Sequence, residues 1–398
     1  MTQRGGKATR SAAALLAGGL VAGGAAVAAA AEPDTACAVA VPTEEVPAPT
    51  AEQADYRSRL HAQATGDGVT VAVIDTGVHP HPQLGQLDPG PDFVDPEEPN
   101  PLEDCDAHGT VVAGVIAAAD TGVAPGARVL AIRQTSAHYR AAGGDGGQEG
   151  SAAGNLDTLA EAIEAAVAEE ADVVNISVVS CLPAGTNVDT GRLDAALERA
   201  EAAGTVVVAA AGNAGESCEP GHTVYPAHAA TVVSVGALAD PQVRADYSIP
   251  QPDSGLALSA PGSVPLGLAP GGQGWARAVV AADGTGPQRE FTGTSFAAPT
   301  VTGTAALLRQ IHPGASAAEI RALLAQAAEP AHGGVDPLAA VSARPADYAV
   351  DERALAVAAG DNSVRPATRR AQLVLLGLAG TALVAALGWA TLRRGRAQ

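Results

Sequence analysis

Val69-Thr70-Val71-Ala72-Val73-Ile74-Asp75-Thr76-Gly77 is a nearly unbroken apolar, β-branched run that ends on a carboxylate. A run without polar alternation reads as a strand buried on both faces, as in a parallel sheet. Similar runs recur at residues 128–133, 171–177, 205–211 and 231–235. Helical patterns lie between them at 109–119, 155–169 and 190–203, and two more follow at 295–310 and 316–328. Alternating strands and helices predict an α/β fold, a doubly wound, mostly parallel sheet with helices on both faces. The domain is expected over residues 55–343. Residues 32–54, rich in Pro, Glu, Thr and Ala, are expected to be extended. The Gly-rich stretch 141–154 reads as a surface loop without a motif.

Sites in open α/β sheets form beyond the C-terminal strand ends. Asp75 ends the first buried strand. His108 opens a helix in Asp106-Ala107-His108-Gly109-Thr110-Val111-Val112-Ala113-Gly114. Asn213 closes Ala209-Ala210-Ala211-Gly212-Asn213, and Ser295 opens the late helix in Gly293-Thr294-Ser295-Phe296-Ala297-Ala298-Pro299. A carboxylate, an imidazole, an amide and a hydroxyl thus meet at one sheet edge. A serine hydroxyl needs a neutral imidazole to take its proton. A buried carboxylate holds that imidazole in one tautomer. The Ser295 N–H and the Asn213 amide supply donors for an oxyanion. Singly, each residue has a plainer reading, as a turn former, a helix-start residue or a cap. His79 and His81 have no comparable context. Asp-Thr-Gly also marks pepsin-like proteases, but those are all-β. The segment around Ser295 lacks the second glycine of an α/β-hydrolase elbow.

The order Asp, His, Asn, Ser and the texts Asp75-Thr76-Gly77, His108 to Gly114, Ala210 to Asn213 and Gly293 to Pro299 resemble the subtilisin-like serine proteases. Gly122-Val123-Ala124-Pro125-Gly126-Ala127, Val224-Tyr225-Pro226-Ala227 and Ala260-Pro261-Gly262 support the likeness. It implies a serine endopeptidase acting on polypeptides, with Asp75, His108 and Ser295 catalytic, and Asn213 and Ser295 forming the oxyanion hole. It also implies that Ser177, Val178, Val179, Ala210 and Gly212 bind substrate. The chain departs from the usual pattern at Val178-Val179, where leucine and glycine are common; valine should narrow the pocket rim. Asn175-Ile176-Ser177 is formally a glycosylation sequon, idle on a buried strand.

The ends suggest export and anchoring. Arg4, Lys7 and Arg10 precede an apolar, small-residue stretch ending at Ala29-Ala30-Ala31, so residues 1–31 read as a signal peptide. Residues 373–392 carry no charge and would span about 30 Å as a helix. A linker at 344–370, a membrane helix at 371–392 and a cytoplasmic tail at 393–398 are therefore expected, with the domain outside the cytoplasm. This layout looks like a mycosin, the membrane-anchored subtilase of type VII secretion systems. That likeness implies a secretion membrane complex as partner, a scaffolding role beside or instead of proteolysis, or, failing it, a general cell-surface protease.

A net charge of −20 argues against nucleic acid as a partner. No cofactor or metal set is read: the eight carboxylates at 88–106 lack EF-hand spacing and read as a solvated acidic loop. Four cysteines in the exported part imply two disulfides. Cys181 and Cys218 each follow a parallel strand, so both loops lie at one sheet edge and can join. Cys105 is left for Cys37.

Overall fold

The computed structural model describes residues 36–43, 46–139, 154–215, 218–251 and 255–343. The expected signal peptide, linker, membrane helix and tail lie outside the described residues, as does nearly all of the Gly-rich loop. Among the described residues no helix is long and apolar enough to cross a membrane.

The chain runs β1 (Val39–Thr43), α1 (Ala51–His61), β2 (Thr70–Asp75), β3 (Leu87–Asp92), α2 (Gly109–Ala117), β4 (Arg128–Arg133) and α3 (Leu156–Ala168). It continues through β5 (Val173–Ile176), β6 (Ser180–Leu182), α4 (Gly191–Ala203), β7 (Val206–Ala210), β8 (Thr223–Tyr225), β9 (Val233–Asp240), β10 (Val243–Arg244) and β11 (Leu256–Pro261). The last part holds β12 (Ser263–Val264), β13 (Gly267–Leu268), β14 (Trp275–Val280), β15 (Arg289–Thr292), α5 (Thr294–Ile311), α6 (Ala317–Ala327) and α7 (Pro337–Ser342).

The main sheet pairs β3, β4, β2, β5, β7, β9 and β11 in parallel, with β10 antiparallel beside β9. Strand direction of travel reverses around β2, which puts the C-terminal end of β2 at the switch point where such sheets bind ligands. Both faces are covered. Val71 and Val73 point into one core with α2 and α5, while Ala72 and Ile74 point into the other with α3 and α4. β4 and β7 alternate in the same way, which is why their sequences are continuously apolar. Helix α5 is buried along most of its length, consistent with apolar and small residues on all its sides.

Two sequence expectations need correction. Helix α1 starts at Ala51, inside the stretch expected to be extended. The signal was a capping box: Thr50 Oγ1 accepts from the Gln53 N–H at 3.2 Å and Gln53 Oε1 accepts from the Thr50 N–H at 2.9 Å. Ahead of it, β1 is extended and pairs antiparallel with β14. Nor is the acidic stretch simply a solvated loop. Its start is the edge strand β3, and Asp92, Asp95 and Asp104 are buried. Asp92 forms an ion pair with the buried Arg133 at 2.9 Å and accepts from the N–H groups of Val94, Asp95 and Asn100. A buried carboxylate with a cation and three donors is satisfied without water.

The cysteines join Cys181 to Cys218, as strand order allows, and Cys37 to Cys105, the pair then left over. Cys181 lies on β6, which pairs with β8.

Candidate active site

Asp75 is the last residue of β2 and is fully buried. Its Oδ1 accepts from His108 Nδ1–H at 2.6 Å and from the Thr76 N–H at 2.8 Å. Thr76 Oγ1 lies 3.2 Å from the same oxygen but makes its shorter contact, 2.8 Å, to Asp104 Oδ1. Thr76 thus links two buried carboxylates, and its Oγ1 also accepts from the Gly109 N–H at 3.0 Å.

His108 stands at the N-cap of α2 without a side-chain cap bond. Asp104 does the capping instead, accepting from the Thr110 N–H at 2.7 Å and from Thr110 Oγ1 at 2.6 Å. The chain reaches this geometry through Ala107 at φ 62°, a left-handed conformation that is uncommon for a residue with a Cβ. Two glycines allow the close approach. A Cβ on Gly77 would lie 1.9 Å from the Glu103 carbonyl oxygen, and one on Gly109 would lie 2.0 Å from the Gly77 carbonyl oxygen. The His108 ring rests against Phe296, with centroids 5.1 Å apart. Burial pulls the imidazole pKa down, but the charges of Asp75, Asp104 and Asp106 outweigh it and hold it above its ordinary value. Burial pushes the Asp104 carboxyl up to about 6, against the lowering effect of its hydrogen bonds to Thr110 and Thr76.

Asn213 follows β7. Its Oδ1 accepts from the Thr294 N–H at 2.9 Å and from Thr294 Oγ1 at 3.1 Å. With the oxygen fixed on Thr294, Nδ2 lies beside Gly293, where an added Cβ would stand 3.1 Å from it. Ser295 is the second residue of α5, where helix N–H groups are unpaired and the dipole end is positive.

His108, Asn213, Ser295 and Phe296 line one cleft of about 810 Å³, together with Asp106, Tyr139 and residues 177–179. Asp106, two residues before His108, accepts from the Ala137 N–H at 2.8 Å and from Ser136 Oγ at 2.5 Å, which ties residues 136–137 to this lining. Ser177, Val178 and Val179 line the cleft. Ala210 and Gly212 do not. Ala210 turns its methyl into the core beside α5, and Gly212 spends its N–H on Thr294 Oγ1 at 3.1 Å. Sequence reasoning missed Thr76, Asp104 and Phe296. An acid just ahead of a helix start was the available signal for Asp104.

Residues 66–366 match the Subtilase family, peptidase S8. The chain belongs to the subtilase family. It is a serine endopeptidase of this family, and its relatives include mycosins. Mycosin-1 of Mycobacterium tuberculosis is 37% identical over 308 residues, covering 70% of this chain and 67% of that protein. Mycosin-4 of the same organism is 37% identical over 297 residues, and the match spans 62% of its length. Among solved structures, the MycP3 protease from the type VII (ESX-3) secretion system superposes with a TM-score of 0.69 at 32% identity, over 79% of this chain and 94% of that one. A chain of the intact ESX-5 inner membrane complex gives a TM-score of 0.68 at 29% identity, over 90% of this subtilase and 94% of that chain.

Proposed function

We propose that this subtilase is a mycosin: a membrane-anchored endopeptidase outside the cytoplasm that cuts polypeptides and works with a type VII secretion membrane complex. The observation that carries the chemistry is the Asp75–His108 hydrogen bond of 2.6 Å, opening onto the cleft that holds Ser295 and Asn213. With Nδ1–H committed to Asp75, the other ring nitrogen, Nε2, is the base. It takes the Ser295 Oγ proton as Oγ attacks the scissile carbonyl, and Asp75 stabilises the imidazolium. Asn213 Nδ2 and the Ser295 N–H receive the oxyanion. The imidazolium then protonates the leaving amine, and water releases the acyl group by the same steps in reverse order. Anchoring rests on the uncharged run 373–392 and its arginine-rich flanks, and export on the basic, alanine-rich start.

A scaffold role is the second reading. The likeness to a chain solved within the ESX-5 inner membrane complex, over 90% of this subtilase, favours it. One pair of experiments tests both. A fluorophosphonate should label Ser295, and Ser295→Ala should abolish labelling; persistent labelling refutes the nucleophile. In a deletion strain, full rescue of secretion by Ser295→Ala assigns the main role to the scaffold, and loss of secretion assigns it to proteolysis.

A further inference from the structure

Pro299 lies inside α5, four residues after Ser295. In an α-helix the N–H of residue i+4 closes the carbonyl of residue i, and proline has no N–H. The Ser295 carbonyl is therefore denied its ordinary helical partner. A partner comes from outside the helix: Ser177 Oγ–H donates to the Ser295 carbonyl oxygen at 2.8 Å. Ser177 is itself held in place. Asn175 Nδ2 donates to Ser177 Oγ at 2.9 Å, and Asn175 Oδ1 accepts from Thr302 Oγ1 at 2.8 Å. Because Nδ2 is a donor, it occupies a lone pair of the Ser177 oxygen and leaves the hydroxyl proton for Ser295. Asn175 and Thr302 are fully buried and Ser177 is 4% exposed, so solvent is poorly placed to replace a lost partner. The relay starts and ends on α5, bracing its first turn against the end of β5.

We infer that Ser177 is a positioning residue for peptide hydrolysis, acting through the Ser295 main chain; this rests on Ser295 being the nucleophile. The carbonyl it holds belongs to the peptide plane that follows Ser295. Fixing that plane fixes ψ of Ser295, and so the direction in which Oγ and the N–H leave its Cα. Ser177 also begins the cleft rim that continues through Val178 and Val179. One hydrogen bond therefore couples the chain segment that borders substrate to the turn that attacks it. Small errors in such placement are expensive, because catalysis depends on near-attack geometry.

The test is a double-mutant cycle between Ser177→Ala and Pro299→Ala, with kcat and KM measured on a peptide substrate and with fluorophosphonate labelling rates. Ser177→Ala should lower kcat and the labelling rate by about 10–100-fold, the size expected for a buried acceptor left unpaired at the reacting residue, with KM within about twofold. Ser177→Cys, similar in shape with a weaker donor, should fall between; it carries the comparison if the alanine variant does not fold. Pro299→Ala supplies the missing N–H, so in that background Ser177→Ala should cost less than about threefold. Equal losses in both backgrounds, a loss confined to KM, or a change in thermal stability alone would each overturn the role of Ser177. Ser295→Ala separates the two readings. If it still turns over, the nucleophile is wrong; if it is dead while Ser177→Ala is fully active, only the positioning role fails.

Discussion

Replacing Cys37 and Cys105 by serine should weaken the domain by an amount that the structure sets. The bridge joins residues separated by 68 positions. In chain-entropy terms a closed loop of that length removes about 15 cal/mol/K from the unfolded chain, or about 4 kcal/mol at 25 °C. The segment keeps other attachments: β1 stays paired with β14, and the Ala38 N–H still reaches the Cys105 carbonyl oxygen at 2.9 Å. Urea unfolding followed by circular dichroism, in a Ser295→Ala background to prevent self-digestion, reads the change. With a denaturant slope of about 3 kcal/mol/M, the midpoint should fall by roughly 1.3 M. Chemical reduction should lower the midpoint of the parent further than that of the variant, because the variant has only Cys181–Cys218 left to lose. A midpoint shift below about 0.3 M would refute the reasoning, since the loop would then be closed by other contacts. The consequence reaches the cleft, because Cys105 lies between Asp104 and Asp106 and packs with Cys37 against Tyr139.

Other outcomes follow from the site. Gly293→Ala should lower kcat by about 10–100-fold with little change in KM, because its Cβ would press on Asn213 Nδ2 from 3.1 Å. Asn213→Ala should cost about 10²–10³ in kcat, a magnitude that itself comes from a subtilisin. The His108 imidazole is held above its ordinary 6.5. The acid limb of kcat/KM should therefore lie above pH 6.5, and Asp104→Asn or Asp106→Asn should move it to lower pH. Asp104 has a stability effect of its own: its pKa rises from 3.8 to about 6 on folding, so its contribution is present below 3.8 and is lost as pH climbs through about 6. Asp104→Asn should flatten that slope in pH-dependent urea midpoints. Val178→Gly with Val179→Gly should widen the rim and raise kcat/KM for bulky residues before the scissile bond; an unchanged preference would show that the valines do not set it.

The sequence alone determined the main sheet and the edge at which the chemistry sits. Continuous apolar runs at β2, β4 and β7 can only be satisfied by burial on both faces, and that requirement is local enough to read from composition and spacing. Parallel strand order then placed Asp75, Asn213, Cys181 and Cys218 at one edge of the sheet without coordinates, and the Cys37–Cys105 pair followed by elimination. Helix starts were legible at Asn155 and Ser316, where side-chain caps follow a local rule, and the same rule was available at Thr50. Tertiary structure decided what depends on how loops pack. A charge count cannot tell that Asp92 and Asp104 are buried while Glu97 and Glu98 are exposed, because burial depends on whether Arg133 or Thr110 arrives to replace water. β1 does not read as part of a sheet, because its partner β14 lies more than 200 residues away. The bond from Ser177 to the Ser295 carbonyl spans 118 positions. Pro299 announces in the sequence that one carbonyl of α5 will lack a helical donor, but only the packing of β5 against that helix says which side chain supplies it.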